Sequence, residues 1–179
     1  MARIIGVYQR FLRKHPLVVQ SIQVGALMGV GDAIAQKAFQ KSDPAKPFNF
    51  SRNKNFILLG ALFVGPGTRT WYVILDKYIK GERTERVLKK VICDQLIFAP
   101  FFLATFLMLL ETLEKGSIAE ARRATRLYYF DLLKANYTIW PLVQLCNFYF
   151  VPLNYQTLFV QSVALAWNTF LSYKTHIEK

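Results

Sequence analysis

The chain has 179 residues, of which 53% are hydrophobic and only 19% charged, with a formal net charge of +12 and a mean hydropathy of +0.21. That length suits one domain rather than two, and the charge is sparser than the roughly 25% of an ordinary soluble domain. The basic excess admits nucleic acid, an anionic membrane surface or an acidic protein as partner, but every Lys and Arg except Arg69 lies at a terminus or in a polar connector between apolar blocks. This is a membrane protein's charge distribution, so no direct nucleic-acid binding is expected.

Residues 1–16, "MARIIGVYQRFLRKHP", carry Arg3, Arg10, Arg13 and Lys14, with Ile4, Ile5, Tyr8, Phe11 and Leu12 at helical spacing. This predicts a short basic amphipathic helix lying in the membrane interface. A cleaved presequence is the alternative, and a secretory signal is not expected because the long apolar core is lacking.

The first apolar block spans about 17–36. Ser21, Gly25, Gly29 and Ala33 recur every fourth residue and line one helix face with small side chains. Such a face lets another helix approach closely, and Gly25/Gly29 form a GxxxG pair that could join two copies of the chain. Residues 37–54 read as a loop. The second block, about 55–75, contains "LFVGPGTRTWYVILD", where Gly65-Pro66-Gly67 predicts a break or kink just before Arg69. The third, about 91–110, is "VICDQLIFAPFFLATFLMLL", and the polar stretches 76–90 and 114–134 flank it as connectors. The fourth and fifth, 135–151 and 157–173, are separated by Pro152.

A helix needs about 20 residues to cross the hydrocarbon core. The pattern therefore predicts one all-α domain over residues 1–179: a polytopic helix bundle with four transmembrane spans and a fifth block that either spans or packs along the bundle. Trp71, Tyr72, Tyr78, Tyr137, Trp140, Tyr155, Trp167 and Tyr173 lie near block ends or breaks, which suggests an interfacial aromatic belt. Basic residues are nearly balanced across alternate connectors and set no orientation.

Asp32, Arg69, Asp94, Gln95, Gln144, Asn147, Gln161 and Asn168 fall inside these apolar blocks. Charged groups there cost at least about 2.5 kcal/mol, so they face a bundle interior or a wet cavity and tend to pair. Either they glue helices together or they line a solute pathway. Asp32 and Asp94 are the candidate partners of Arg69, with snorkelling to a headgroup as the alternative. Cys93 and Cys146 make neither a disulfide framework nor a metal site and read as small core residues. His15 and His176 read as solvated. No phosphate loop, metal-ligand cluster or nucleophile–base arrangement is present in the sequence, so neither an enzyme nor a cofactor or metal is expected.

The runs "GDAIAQ" (31–36), "GP" and "WYVILD" (65–66, 71–76), "DQLIFAP" (94–100), "WPLVQLCNFYFVP" (140–152) and "WNTFLS" (167–172) together resemble one family. It is the Mpv-seventeen / Sym-one family of small mitochondrial inner-membrane and peroxisomal membrane proteins. The resemblance extends over nearly the whole chain. It implies roles for Asp32, Gly65, Pro66, Trp71, Tyr72, Asp94, Gln95, Pro100, Trp140, Pro141, Gln144, Asn147, Phe148, Pro152, Trp167 and Asn168. Two positions depart from the family pattern: Gln156 stands where members typically have an arginine, and Arg69 where they often have histidine or a small residue. If the usual arginine pairs with an acidic residue, Arg69 would substitute for it. The resemblance further implies the mitochondrial inner membrane, with the peroxisomal membrane as the alternative. It also implies weakly selective channel activity and effects on membrane potential, reactive oxygen species and nucleotide supply for mitochondrial DNA. A non-conducting structural or regulatory membrane protein is the competing expectation. The lipid bilayer is the expected partner, with cardiolipin a fitting anionic lipid for the basic connectors and a homo-oligomer the other expectation.

Overall fold

The computed structural model of the chain describes the backbone of residues 2–39 and 47–176 and the side chains of 6–37 and 47–167. Six helices make up the described fold: α1 (Ala2–Lys14), α2 (Pro16–Phe39), α3 (Phe50–Tyr78), α4 (Arg83–Lys115), α5 (Ile118–Phe150) and α6 (Leu153–His176). Local chemistry sets their ends. Asn49 Oδ1 accepts from the Arg52 backbone N–H at 2.9 Å and starts α3. Ser117 caps α5 with Glu120 three residues on, the spacing of a capping box. Gly116, at φ 67°, closes α4 in the left-handed conformation that a Cβ disfavours.

Helices α2, α3 and α4 are each long and apolar enough to cross a bilayer. The fourth and fifth apolar blocks lie in α5 and α6, which have 33 and 24 residues but carry more polar positions. The 114–134 stretch, which the sequence presents as a connector, is largely helical, and the 37–54 stretch is helical at its two ends. α2 runs to Phe39 and α3 begins at Phe50, and α5 begins at Ile118 within the 114–134 stretch. Ala121, Ala124 and Leu132 turn inward there, while Arg122, Arg123 and Arg126 stay exposed. Hydrophobic periodicity thus continues under a polar surface.

The predicted break at Gly65-Pro66-Gly67 is not a break. Gly65 is helical, and the chain absorbs the proline through one wider π turn at Gly60–Val64, where the Gly65 N–H bonds the Gly60 carbonyl. The same device recurs before Pro100: Asp94–Phe98 form a π turn and the Ala99 N–H bonds the Asp94 carbonyl. In that register the next donor would belong to proline, which has none. The Gln95 carbonyl is instead taken by the Tyr137 hydroxyl at 3.0 Å. Pro141 likewise lies inside a continuous α5, whereas Pro152 does separate α5 from α6.

Small residues bring α2 and α3 together. A Cβ on Gly25 would lie 2.9 Å from the Ile57 carbonyl oxygen, one on Gly60 would lie 2.8 Å from Gly25 Cα, and one on Gly65 would lie 2.7 Å from Ser21 Cα. Gly29 faces Ile57. The Gly25/Gly29 face therefore receives α3 of the same chain rather than a second copy. α1 folds back on α2, with Leu12 buried and Gln23 Nε2 donating to the Tyr8 hydroxyl at 3.0 Å.

Two apolar clusters result. One joins Val24, Met28, Phe56, Leu59, Val64, Leu103, Phe106, Leu107, Leu110 and Leu132; the other joins Tyr72, Leu75, Val87, Trp140, Phe148, Val160, Ala164 and Trp167. Outside them the surface carries exposed Phe50, Leu62, Leu96, Phe101, Leu142 and Phe150, while Gln20, Asp32, Gln36, Asp94, Asn147 and Gln161 are buried. Polar groups inside and large apolar side chains outside are the arrangement a hydrocarbon solvent selects.

Candidate functional site

The polar residues of the apolar blocks separate into three clusters. The first is built on Asp32 in α2, which is fully buried. Its Oδ1 accepts from Arg52 Nε at 2.8 Å, and its Oδ2 accepts from Gln36 Nε2 at 2.8 Å and from Asn53 Nδ2 at 3.1 Å. Gln36 continues the network to the backbone: its Nε2 donates to the Asn49 carbonyl at 3.1 Å and its Oε1 accepts the Asn49 N–H at 2.7 Å. Arg52, Asn53 and Gln36 are not apparent as site residues in the sequence, where Arg52 falls in an expected loop. Once α3 is seen to start at Phe50, a basic residue on its first turn can reach down to the end of α2.

The second cluster corrects the expected pairing of Arg69. Neither Asp32 nor Asp94 is its partner. Arg69 Nη1 donates to the Leu153 carbonyl at 3.0 Å and Nη2 to Asn154 Oδ1 at 3.2 Å. Gln20 Nε2 binds the adjacent Asn154 carbonyl at 3.1 Å, and Gln156 Nε2 the Val151 carbonyl at 3.0 Å. The guanidinium therefore reaches the Pro152 turn from α3, beside Gln156, and its partners are a carbonyl and an amide rather than an acid. Oriented dipoles disperse the charge where no carboxylate is at hand.

The third cluster surrounds a cavity of about 110 Å³ where the two apolar clusters meet. Its lining brings together Thr68 and Tyr72 from α3, Asp94 and Gln95 from α4, Asn136, Trp140 and Gln144 from α5, and Gln161 and Trp167 from α6, among apolar neighbours. Asp94, 2% exposed, accepts from Trp71 Nε1 at 2.9 Å and from Gln95 Nε2 at 2.8 Å, with Gln144 also in reach of the carboxylate. Gln144 Nε2 donates to the Tyr72 hydroxyl at 2.8 Å, and its Oε1 accepts from Asn147 Nδ2 at 3.0 Å. Among the described residues no cation lies within ion-pair distance of Asp94. Gln95 Oε1, Asn136 Nδ2, Trp140 Nε1 and Gln161 Oε1 are buried at the cavity without a partner among the described residues.

Several aromatic residues read as interfacial are in fact internal. Tyr72 is 1% exposed and meets Phe148 edge-on at 5.4 Å; Trp140 and Trp167 meet edge-on at 6.1 Å. Trp71 stacks on Phe98 at 5.0 Å, and Phe98 on Phe102 at 4.6 Å. Of the residues nominated from sequence, Asp94, Gln95, Gln144 and Gln161 meet at the cavity, with Asn147 bonded to Gln144. Asp32 and Arg69 do not join them. The side chain of Asn168 lies outside the described residues. Thr68 and Asn136 are polar cavity residues that the sequence did not single out. For Asn136 a signal was present: the stripe Asn136, Trp140, Gln144, Asn147 at four- and three-residue spacing, which puts all four on one face of α5.

Lys90 supplies one more ion pair. Its ammonium is buried and lies 2.7 Å from Asp76 Oδ1 and 5.9 Å from the centre of the Phe148 ring. Cys93 and Cys146 are both half-buried free thiols. Among the described residues no group of three or more His, Cys, Asp or Glu side chains could hold a metal ion.

Comparison with known proteins adds to this geometry. The family model described as Mpv17 / PMP22 family matches residues 111–172. The protein named Mitochondrial inner membrane protein Mpv17 is 40% identical over 176 residues in Danio rerio, covering 98% of this chain and 99% of the relative. The Mus musculus protein of the same name is 43% identical over 169 residues, covering 94% and 96%. Protein SYM1 of Gibberella zeae is 34% identical over 175 residues, covering 97% and 98%. No solved structure matches the chain.

Proposed function

Because this chain belongs to the Mpv17 / PMP22 family and is a mitochondrial inner-membrane protein, we propose that it forms a weakly selective pathway for small solutes or ions, with the Asp94 cavity as its central site. The observation that carries this reading is the buried Asp94 carboxylate in a cavity among all four long helices that follow α2, beside single amide and indole atoms that have no partner among the described residues. Buried polar groups in a packed bundle ordinarily satisfy one another. Groups left over around a cavity are suited to replace part of a solute's hydration. The rest of the interior would hold the site in shape. Trp71 and Gln95 fix the carboxylate, and Tyr137 secures the π turn that carries Asp94 and Gln95. Flow through such a site would draw on the membrane potential and so on the production of reactive oxygen species. An influence on mitochondrial DNA would run through the supply of its precursors.

A second reading, a non-conducting structural or regulatory protein, is favoured by the Asp32–Arg52 and Arg69 networks, which join helices to one another. Conductance of the purified protein in a planar bilayer separates the two. Step-like currents whose cation preference falls in Asp94→Asn, and is unchanged in Arg69→Gln, are expected of a pathway through the cavity. A silent bilayer containing folded, inserted protein would establish the structural reading instead.

A further inference from the structure

We propose that the cavity binds a small organic ammonium that also carries a hydrogen-bond acceptor, an amino alcohol being the simplest example. The inference rests on the reading of this cavity as a solute site and names the class of solute. Among the described residues Asp94 receives only neutral N–H donors. A buried carboxylate of this kind is costly unless a cation faces it. Among the described residues the buried cations are engaged elsewhere: Arg52 with Asp32, Arg69 with the Pro152 turn and Lys90 with Asp76. The complementary charge therefore belongs to the ligand.

The walls select among cations. Tyr72, Phe98, Phe102, Phe106, Trp140 and Trp167 supply aromatic surface, which attracts an ammonium through its ring faces. A hard metal cation such as Mg²⁺ or Ca²⁺ instead prefers a shell of about six or more oxygen ligands. Unpaired Gln95 Oε1 and Gln161 Oε1 can accept the remaining ammonium N–H groups. Unpaired Asn136 Nδ2 and Trp140 Nε1 are donors, which neither a bare ion nor a simple alkylammonium can satisfy. A solute with an ammonium and a hydroxyl or carbonyl oxygen matches both sets.

All three tryptophans of the chain report on this site. Trp140 and Trp167 line it, and Trp71 holds Asp94. Tryptophan fluorescence of the full chain in lipid nanodiscs, titrated with ethanolamine, should change saturably. Ethylene glycol and potassium chloride at matched ionic strength should give no saturable change. Asp94→Asn should weaken ethanolamine binding by about tenfold or more, the scale on which a close buried charge partner matters. Asn136→Leu should weaken ethanolamine while leaving methylamine, which has no acceptor, unchanged. A response to ethylene glycol equal to that to ethanolamine would overturn recognition of charge, and no saturable response from protein shown by circular dichroism to be folded would overturn the site. If Asp94→Asn does not fold, the Asn136→Leu comparison decides: equal loss for both amines, or no loss, overturns the proposal. Bilayer currents recorded on the same preparation keep the two readings apart. Currents without amine binding sink only the amine site, and amine binding in a silent bilayer sinks only the pathway.

Discussion

Asp32, Arg69 and Asp94 are three charges placed in apolar helices, and the protein accommodates each differently. Asp32 has a guanidinium and two amides, Arg69 has a carbonyl and an amide, and Asp94 has, among the described residues, only neutral donors. Removing one partner of a buried ion pair costs about 3–5 kcal/mol, because the other charge is left uncompensated. Arg52→Leu should therefore lower the thermal unfolding midpoint of the solubilised protein sharply. The double change Asp32→Asn with Arg52→Gln should cost less than the sum of its single changes, by about 0.5–3 kcal/mol; strict additivity would show that the pair is not energetically coupled. At the Pro152 turn, Arg69→His should destabilise the junction of α3 with α6 by about 1–3 kcal/mol through unsatisfied carbonyl and amide groups. Gln156→Arg should recover part of that loss, since residue 156 already bonds the same turn. Thermal unfolding of the two variants checks this, and no recovery would mean that the two positions are not interchangeable sources of a donor.

At the level of helices, the two π turns explain how proline and glycine can be frequent in uninterrupted spans. Each turn is closed by the N–H of the residue just before a proline, so the widened register arrives where the N–H is missing. At Pro100 the orphaned Gln95 carbonyl has Tyr137 as donor. Tyr137→Phe alone should destabilise by about 1–3 kcal/mol, the cost of an unmet buried acceptor. In a Pro100→Ala background, where residue 100 regains a backbone N–H, the same change should be nearly neutral. Equal effects of Tyr137→Phe in both backgrounds, read by chemical denaturation in micelles, would refute this assignment. The contact of α2 with α3 is sterically stricter. A Cβ at Gly60 falls 2.8 Å from backbone Gly25 Cα and cannot be relieved by a rotamer change. Gly60→Val is expected to separate the helices, abolishing the folded monomer on size-exclusion chromatography, whereas Gly6→Ala, where a Cβ meets nothing within 4 Å, should be silent.

For the molecule as a whole, the exterior is as informative as the cavity. Phe101 is 74% exposed on α4, a helix apolar enough to span. Hydrocarbon is the solvent that makes such exposure favourable. Phe101→Lys should reduce stable insertion by about 2.5–3.5 kcal/mol if the position lies near mid-membrane. Resistance to alkaline extraction from membranes is the readout, and full resistance in the variant would place Phe101 at an interface instead. The aromatic residues divide on the same principle. Exposed Tyr78 is free to meet headgroups, while Tyr72, Trp140 and Trp167 are consumed in a core that also has to hold polar groups.

Block length, low charge and the distribution of basic residues were enough to establish an all-α membrane bundle, because a bilayer imposes its thickness and its intolerance of charge on every segment separately. The family motifs were likewise local and readable in order. Which polar residue meets which was not readable: Asp32 found Arg52 from an expected loop, Arg69 found a helix start 84 residues away, and Asn136 joined Asp94 through a stripe on α5. Those partnerships depend on helix rotation, on where each helix begins, and on how closely glycine lets two backbones approach. These quantities are set only when the helices pack together, so the sequence could name the charges that need compensation while the tertiary structure alone decided what compensates them.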